Sequence, residues 1–338
     1  MLQSEFKSNT KVMNERMDMV YLDLRGKRFE LERARLLDLP ESVLLCLFPN
    51  GVSLGENMDV EDTIYVDFDG QCLEYLLAFF EKARQDFYGA PTSALRQQRQ
   101  LAESAAQTNL SIPLFHKQAI IVLREELEYF AIPINALKST AASASTSSAS
   151  PLTDITNQAQ QQHSEPATDE HGNANPPLMH IKAECGKQLL SRRSIFTALQ
   201  RNVNRENNVA EQHLIDMLCM SGFDREDEWG YRSMEPNRCC ITSIALVLLK
   251  TGISHPNVSS EPDTAQHLTS ADPMPAPPPV NVNSGQLATA QKLLLFWRKP
   301  ARKCWWDAME VETPGMDGKI VKSKIHVRRI WTLELSCI

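Results

Sequence analysis

From residue 20 to residue 32 apolar and polar side chains alternate with a period of two. The runs are Val20-Tyr21-Leu22-Asp23-Leu24 and Arg28-Phe29-Glu30-Leu31-Glu32, turning at Arg25-Gly26-Lys27, and they predict a β-hairpin. The period then lengthens. Leu39-Pro40-Glu41 opens a short helix, because proline is tolerated in a first turn. Val43, Leu44, Leu47 and Phe48 form its apolar face, and Pro49-Asn50-Gly51 stops it. Ile64-Tyr65-Val66-Asp67 reads as a third strand, followed by Asp69 as N-cap of a helix carrying Leu73, Leu76, Leu77 and Phe80. Residues 118–130 carry helical spacing, with Ile121, Leu123, Leu127 and Phe130 facing inward.

The second half repeats this mixture. A helical pair is predicted over 187–202 and 208–220, closed by Ser221-Gly222. An apolar helix over 240–249 ends at Thr251-Gly252, and another helix spans 287–297. Two alternating runs, 304–311 and 324–335, flank Thr313-Pro314-Gly315-Met316-Asp317-Gly318 and predict a hairpin. Three stretches lack bulky apolar residues and read as disordered: a tail over 1–17, an Ala/Ser/Thr/Gln-rich linker over 138–178, and an insert over 254–284 containing Pro275-Ala276-Pro277-Pro278-Pro279. The expected organisation is an α+β protein with two compact regions, an α/β domain over 18–137 and an α+β domain over 179–338. The second is a helical module ending in a β-hairpin.

At 338 residues the chain is long enough for two cores. No run approaches the roughly 18 apolar residues of a membrane span, and residues 1–18 show no apolar segment or cleavage site typical of a secretory signal. A cytoplasmic location is expected. Cys46, Cys72, Cys219 and Cys240 fall within apolar patterns and read as small buried hydrophobes, and Cys239-Cys240 lacks the spacing of a metal site. The net charge of -7 is unevenly spread: residues 19–135 hold 18 acidic and 11 basic side chains, residues 292–338 hold 5 acidic and 10 basic. The two ends are therefore suited to different partners.

No phosphate-binding glycine loop or HExxH motif occurs. Asp67-Phe68-Asp69-Gly70 is the nearest approach to a phosphatase aspartate pair, and its place at a strand-to-helix corner favours capping. No enzyme activity, cofactor or metal is expected. The segment with binding chemistry is Arg298-Lys299-Pro300-Ala301-Arg302-Lys303-Cys304-Trp305-Trp306. Its four cations beside two tryptophans suit an acidic peptide, a membrane headgroup surface or nucleic acid, through charge and stacking; the plainer reading is a solvated basic loop between helix and strand. Successive strand residues point to opposite faces, so one tryptophan is expected in the core and the other against solvent or a partner. The acidic chain and short patch argue against nucleic acid.

The order of hairpin, Leu39-Pro40-Glu41-Ser42-x-Leu44-x-x-Leu47-Phe48, Val66-Asp67-Phe68-Asp69-Gly70 and Leu76-Leu77-x-Phe79 resembles the BTB/POZ domain. It is most similar to the potassium-channel tetramerisation branch, whose closing helix 123–132 resembles. It departs at Arg25-Gly26, where that branch has Gly-Gly, and in a long insertion over 86–115. Residues 229–240 and 295–306 add a resemblance to a fungal family of growth regulators and phosphatase activators, best known for the budding-yeast "whiskey" regulator of the general stress response. That resemblance implies a non-enzymatic scaffold, oligomerising through its BTB face. It would recruit or activate a membrane-associated haloacid-dehalogenase-type phosphatase and restrain growth signalling through target of rapamycin. The alternative is a cullin ubiquitin-ligase substrate adaptor.

Overall fold

The computed structural model describes residues 19–51, 63–88, 113–115, 117–133, 176–206, 208–236, 238–254 and 281–338. The tail over 1–17, most of the linker and of the proline-rich insert, and most of the insertion over 86–115 lie outside these residues.

The predicted N-terminal hairpin is present. Strands β1 (Met19–Leu24) and β2 (Lys27–Glu32) pair antiparallel down to Leu24↔Lys27. Both residues of the turn, Arg25 (φ 52°) and Gly26 (φ 90°), have positive φ, the geometry that matches the twist of two paired strands. Arginine is a costly choice there, but its guanidinium is anchored by Asp67 at 2.7 Å and Glu235 at 2.5 Å. Helices α1 (Arg33–Leu37) and α2 (Glu41–Leu47) follow. Strand β3 (Ile64–Val66) pairs parallel to β1, and helix α3 (Gly70–Tyr88) follows. Asp69 accepts the Gln71 N–H at 2.8 Å, which is the expected cap of α3. Val20, Leu22, Leu24, Leu36, Leu73 and Leu76 are buried together between this three-stranded sheet, ordered β2-β1-β3, and its helices.

Two predicted helices are strands. Residues 118–130 belong to β4 (Ala119–Pro133), and 240–249 to β6 (Cys240–Leu248). They lie side by side in a five-stranded antiparallel sheet of order β5-β6-β4-β10-β9, with β5 (Tyr231–Met234), β9 (Ala301–Pro314) and β10 (Ile320–Cys337). Both are covered on both faces along much of their length, so they show apolar runs where a half-exposed strand would alternate, and such runs do not distinguish strand from helix. Residues 123–132, which matched the closing helix of a tetramerisation domain, are thus extended chain. Phe130, expected inward, is 51% exposed.

The hydrogen bonding of this sheet crosses the boundary drawn at residue 137. Strand β4 precedes it in sequence, yet sits between β6 and β10, pairing from Ser323↔Pro133 to Cys337↔Ala119 with one and from Ile120↔Leu248 to Glu128↔Cys240 with the other. Ile120, Val122, Ile244, Leu246 and Ile338 join the N-terminal core from one sheet face. Glu334 of β10 accepts the N–H groups of Glu41 and Ser42 at 2.8 and 2.9 Å, satisfying the start of α2.

The opposite face carries the remaining helices: α4 (Pro176–Leu190), α5 (Thr197–Glu206), α6 (Val209–Ser221) and α7 (Ser284–Trp297). Ile121, Leu123, Ala245, Trp331 and Leu333 pack there against Leu199, Ile215, Leu218 and Leu293. Leu127, Tyr129 and Val327 pack against Ile181, Cys185 and Leu189 of α4. The pair expected over 187–202 and 208–220 is therefore three helices, because Arg193–Ile195 leave the helix to bridge 227–229. Pro176, assigned to the linker, instead opens α4, where its missing N–H is harmless. The edges of the 254–284 insert pair as β7 (Ile253–Ser254) and β8 (Asn281–Val282).

Candidate functional site

Strand β9 is an edge strand, and the pleat divides the basic–aromatic segment between the two sheet faces. On the helix-covered face, Lys303 donates to Glu211 at 2.8 Å and sits 5.7 Å over the Trp305 ring. Trp305 meets Trp331 edge-on at 5.4 Å and packs into the core. Lys303 and Trp305 hold β9 to α6 and β10. On the other face Arg302, Cys304 and Trp306 are exposed. Arg298 and Lys299, also exposed, lie between α7 and β9. The six residues thus do not form one cluster.

What the sequence reading missed is the companion of Trp306. Strand register sets Trp306 opposite Arg328, and Arg328 opposite Glu128; one step along, Ala308 faces His326 and His326 faces Phe130. Trp306, 62% exposed, stacks on Phe130 across β10 with centroids 6.2 Å apart and planes at 28°. Arg328 binds Glu128 at 2.8 Å beside them. Two large rings on an open sheet face, rimmed by Arg302 and an ion pair, have the composition of a protein-binding hot spot. Leu295 and Phe296, 78% and 73% exposed, add apolar surface at the end of α7. The sign in the sequence was Phe130, but only a strand places it beside Trp306.

Beneath the opposite face lies a buried charge network. Glu125, 1% exposed, accepts from Arg232 at 2.9 Å, from Arg329 at 2.7 Å and from the Trp331 indole at 3.0 Å. Arg232 also donates to the Ser243 hydroxyl at 2.7 Å and to the Leu189 carbonyl at 3.2 Å. Burial pushes the Glu125 carboxyl up, but the two guanidinium groups and the indole outweigh it and hold it below the usual carboxylate range. The network joins β4, β5, β6 and β10 to α4, so its role is to fix strand register. Two thiols nearby are inert: burial raises Cys185 and Cys240 to about 11.

No family model matches the chain. It is 32% identical to a WHI2-like protein of Schizosaccharomyces pombe, over 93% of this chain and 86% of that one. It is 27% identical to a growth regulation protein of Saccharomyces cerevisiae, over 95% and 91%. Among the described residues no helix is long and apolar enough to cross a membrane. These likenesses extend along nearly the whole chain, and the chain belongs to the WHI2-like family.

Proposed function

We propose that this protein is a non-enzymatic scaffold of growth and stress signalling, whose open sheet face around Trp306 and Phe130 docks a partner protein. The observation that carries this reading is the exposed stacked pair itself. Leaving two large rings in water forgoes the burial energy that aromatic side chains gain in cores and interfaces, and such a patch marks an interaction surface. The relative named as a growth regulation protein supports the cellular role. The partner inferred from the family resemblance is a haloacid-dehalogenase-type phosphatase, recruited or activated so that growth signalling through target of rapamycin is restrained. The β1–α3 unit is read as a BTB/POZ-type module of the channel-tetramerisation branch, through which copies associate.

The test is affinity purification of the tagged full chain from its own cells, before and after nutrient stress, alongside a Trp306→Ala/Phe130→Ala variant. A phosphatase recovered with wild type and lost with the variant supports the scaffold. A cullin with ubiquitinated clients, and no phosphatase, replaces it with a degradation adaptor. Normal dephosphorylation of stress factors in a deletion strain overturns the phosphatase link.

A further inference from the structure

On the helix-covered face, across the sheet from the aromatic pair, α5 begins at the mouth of a cleft of about 480 Å³. Four arginines line it: Arg192 and Arg193 from the α4–α5 connection, Arg201 from α5 and Arg329 from β10. Glu228 is the single carboxylate in the lining. Arg193 donates to Glu228 and to the Trp229 carbonyl, each at 3.0 Å. Arg201 pairs with Asp307, and Arg329 with Glu125, which also neutralises Arg232. Five guanidinium groups thus stand against three carboxylates, leaving two positive charges in excess. Arg192 donates to the Met309 sulfur at 2.9 Å and meets no carboxylate among the described residues. Arg329 is 7% exposed, and its Nε is buried with no hydrogen-bond partner.

The backbone of the cleft is rigid. Ser194 bridges Glu228, the Ile195 N–H donates to Asp227 at 3.0 Å, and the Trp229 N–H to Arg193 at 3.0 Å. Arg193 and Ser194 are therefore held in place before any ligand arrives. Thr197 and Ala198, the first residues of α5, also line the cleft, so the helix adds partial positive charge to that of the arginines. A second hollow of about 410 Å³ shares Ser194, Thr197 and Arg201 with the first and continues along α5 past Gln200 and Asn204. The amide side chains there suit the N–H and C=O groups of an extended peptide.

We propose that this groove binds a peptide carrying a phosphorylated serine or threonine, with the phosphoryl group in the arginine cleft and the flanking backbone along α5. A phosphate monoester carries about −1.5 to −2 charges at neutral pH, matching the excess, and its three oxygens suit the forked donors of arginine. Free phosphate would occupy only a small part of a cleft of about 480 Å³ and leave the adjoining hollow empty, and that is the ground for choosing a peptide.

The test is fluorescence anisotropy of the full-length protein with three labelled degenerate peptide pools, centred on phosphoserine, serine or glutamate. The phosphoserine pool is expected to bind about tenfold or more tightly than the other two, with an affinity that falls as salt rises. Arg192→Ala, at an exposed side chain, should weaken it about tenfold. Thr197→Glu places a carboxylate where the phosphoryl group would sit, and should abolish binding without lowering the melting temperature, because an acidic residue favours a helix start. Equal binding of the three pools, or phosphoserine binding unchanged by Thr197→Glu, overturns the proposal. Inorganic phosphate competing as tightly as the phosphopeptide pool overturns the peptide assignment.

Discussion

Replacing Glu125 by glutamine tests whether the buried network sets the stability of the large sheet. The side chains of Glu125 and Arg232 are each 1% exposed and that of Arg329 is 9% exposed. At an effective dielectric of about 20, each close pair is worth about 4 kcal/mol of attraction, against a desolvation cost of several kcal/mol per ion. Removing the carboxylate keeps that cost for both arginines and cancels the compensation. The expected loss is about 3–5 kcal/mol, a large part of the roughly 5–15 kcal/mol that separates folded from unfolded domains. Urea unfolding followed by tryptophan fluorescence measures it, since Trp331 reports on the site directly. The pH dependence gives a second readout. Because the folded carboxyl titrates below its unfolded value, its contribution is full above the ordinary glutamate range near 4.3 and is lost as pH falls through the depressed value. Wild type should therefore lose stability on acidification more steeply than Glu125→Gln. A loss under about 1 kcal/mol, or parallel acid profiles, would refute the reasoning.

Trp306→Ala should change stability by about 1 kcal/mol or less, since only its stack on Phe130 is lost, while reducing partner recovery in the purification described above. Gly230→Ala should destabilise by about 1–3 kcal/mol in thermal melts, because a Cβ there collides with the Tyr75 hydroxyl of α3. In a Tyr75→Ala background the same change should cost almost nothing; an undiminished cost would place the strain elsewhere. In the native protein, maleimide at neutral pH should modify the exposed Cys304 far faster than the buried Cys72, Cys185 and Cys240, with peptide mass spectrometry as the check.

The elements legible in the sequence were those with one wet face. Strands β1 and β2 alternate as they are buried, and Asp69 caps α3 where a short acceptor was expected. The hairpin of β9 and β10 announced itself through Gly315 and Gly318, whose φ of 76° at Gly318 few other residues adopt. Strands β4 and β6 hid because both faces are covered, and because Leu123-Arg124-Glu125-Glu126-Leu127 is built from good helix formers. Propensity lost there to pairing on both edges and to the charge network around Glu125. The aromatic–basic segment was visible as composition, but its division between faces depends on the strand pleat, and its partner Phe130 lay in a stretch read as helix. The arginine cleft draws on three separate elements and has no linear signature.

The place of β4 has a consequence for biosynthesis. It emerges from the ribosome roughly 190 residues before its neighbour β10, and well before β6. During that interval Ala119-Ile120-Ile121-Val122-Leu123 has neither flanking strand, and such a segment, uncharged and rich in β-formers, is prone to self-association. The topology pairs strands far apart in sequence, so folding is slow and its rate depends on closing a loop of roughly 190 residues between β4 and β10. Chaperone supply should then set the yield of native protein. Copies refolded together at high concentration should exchange β10, each lending its strand to the other's β4 and forming swapped dimers.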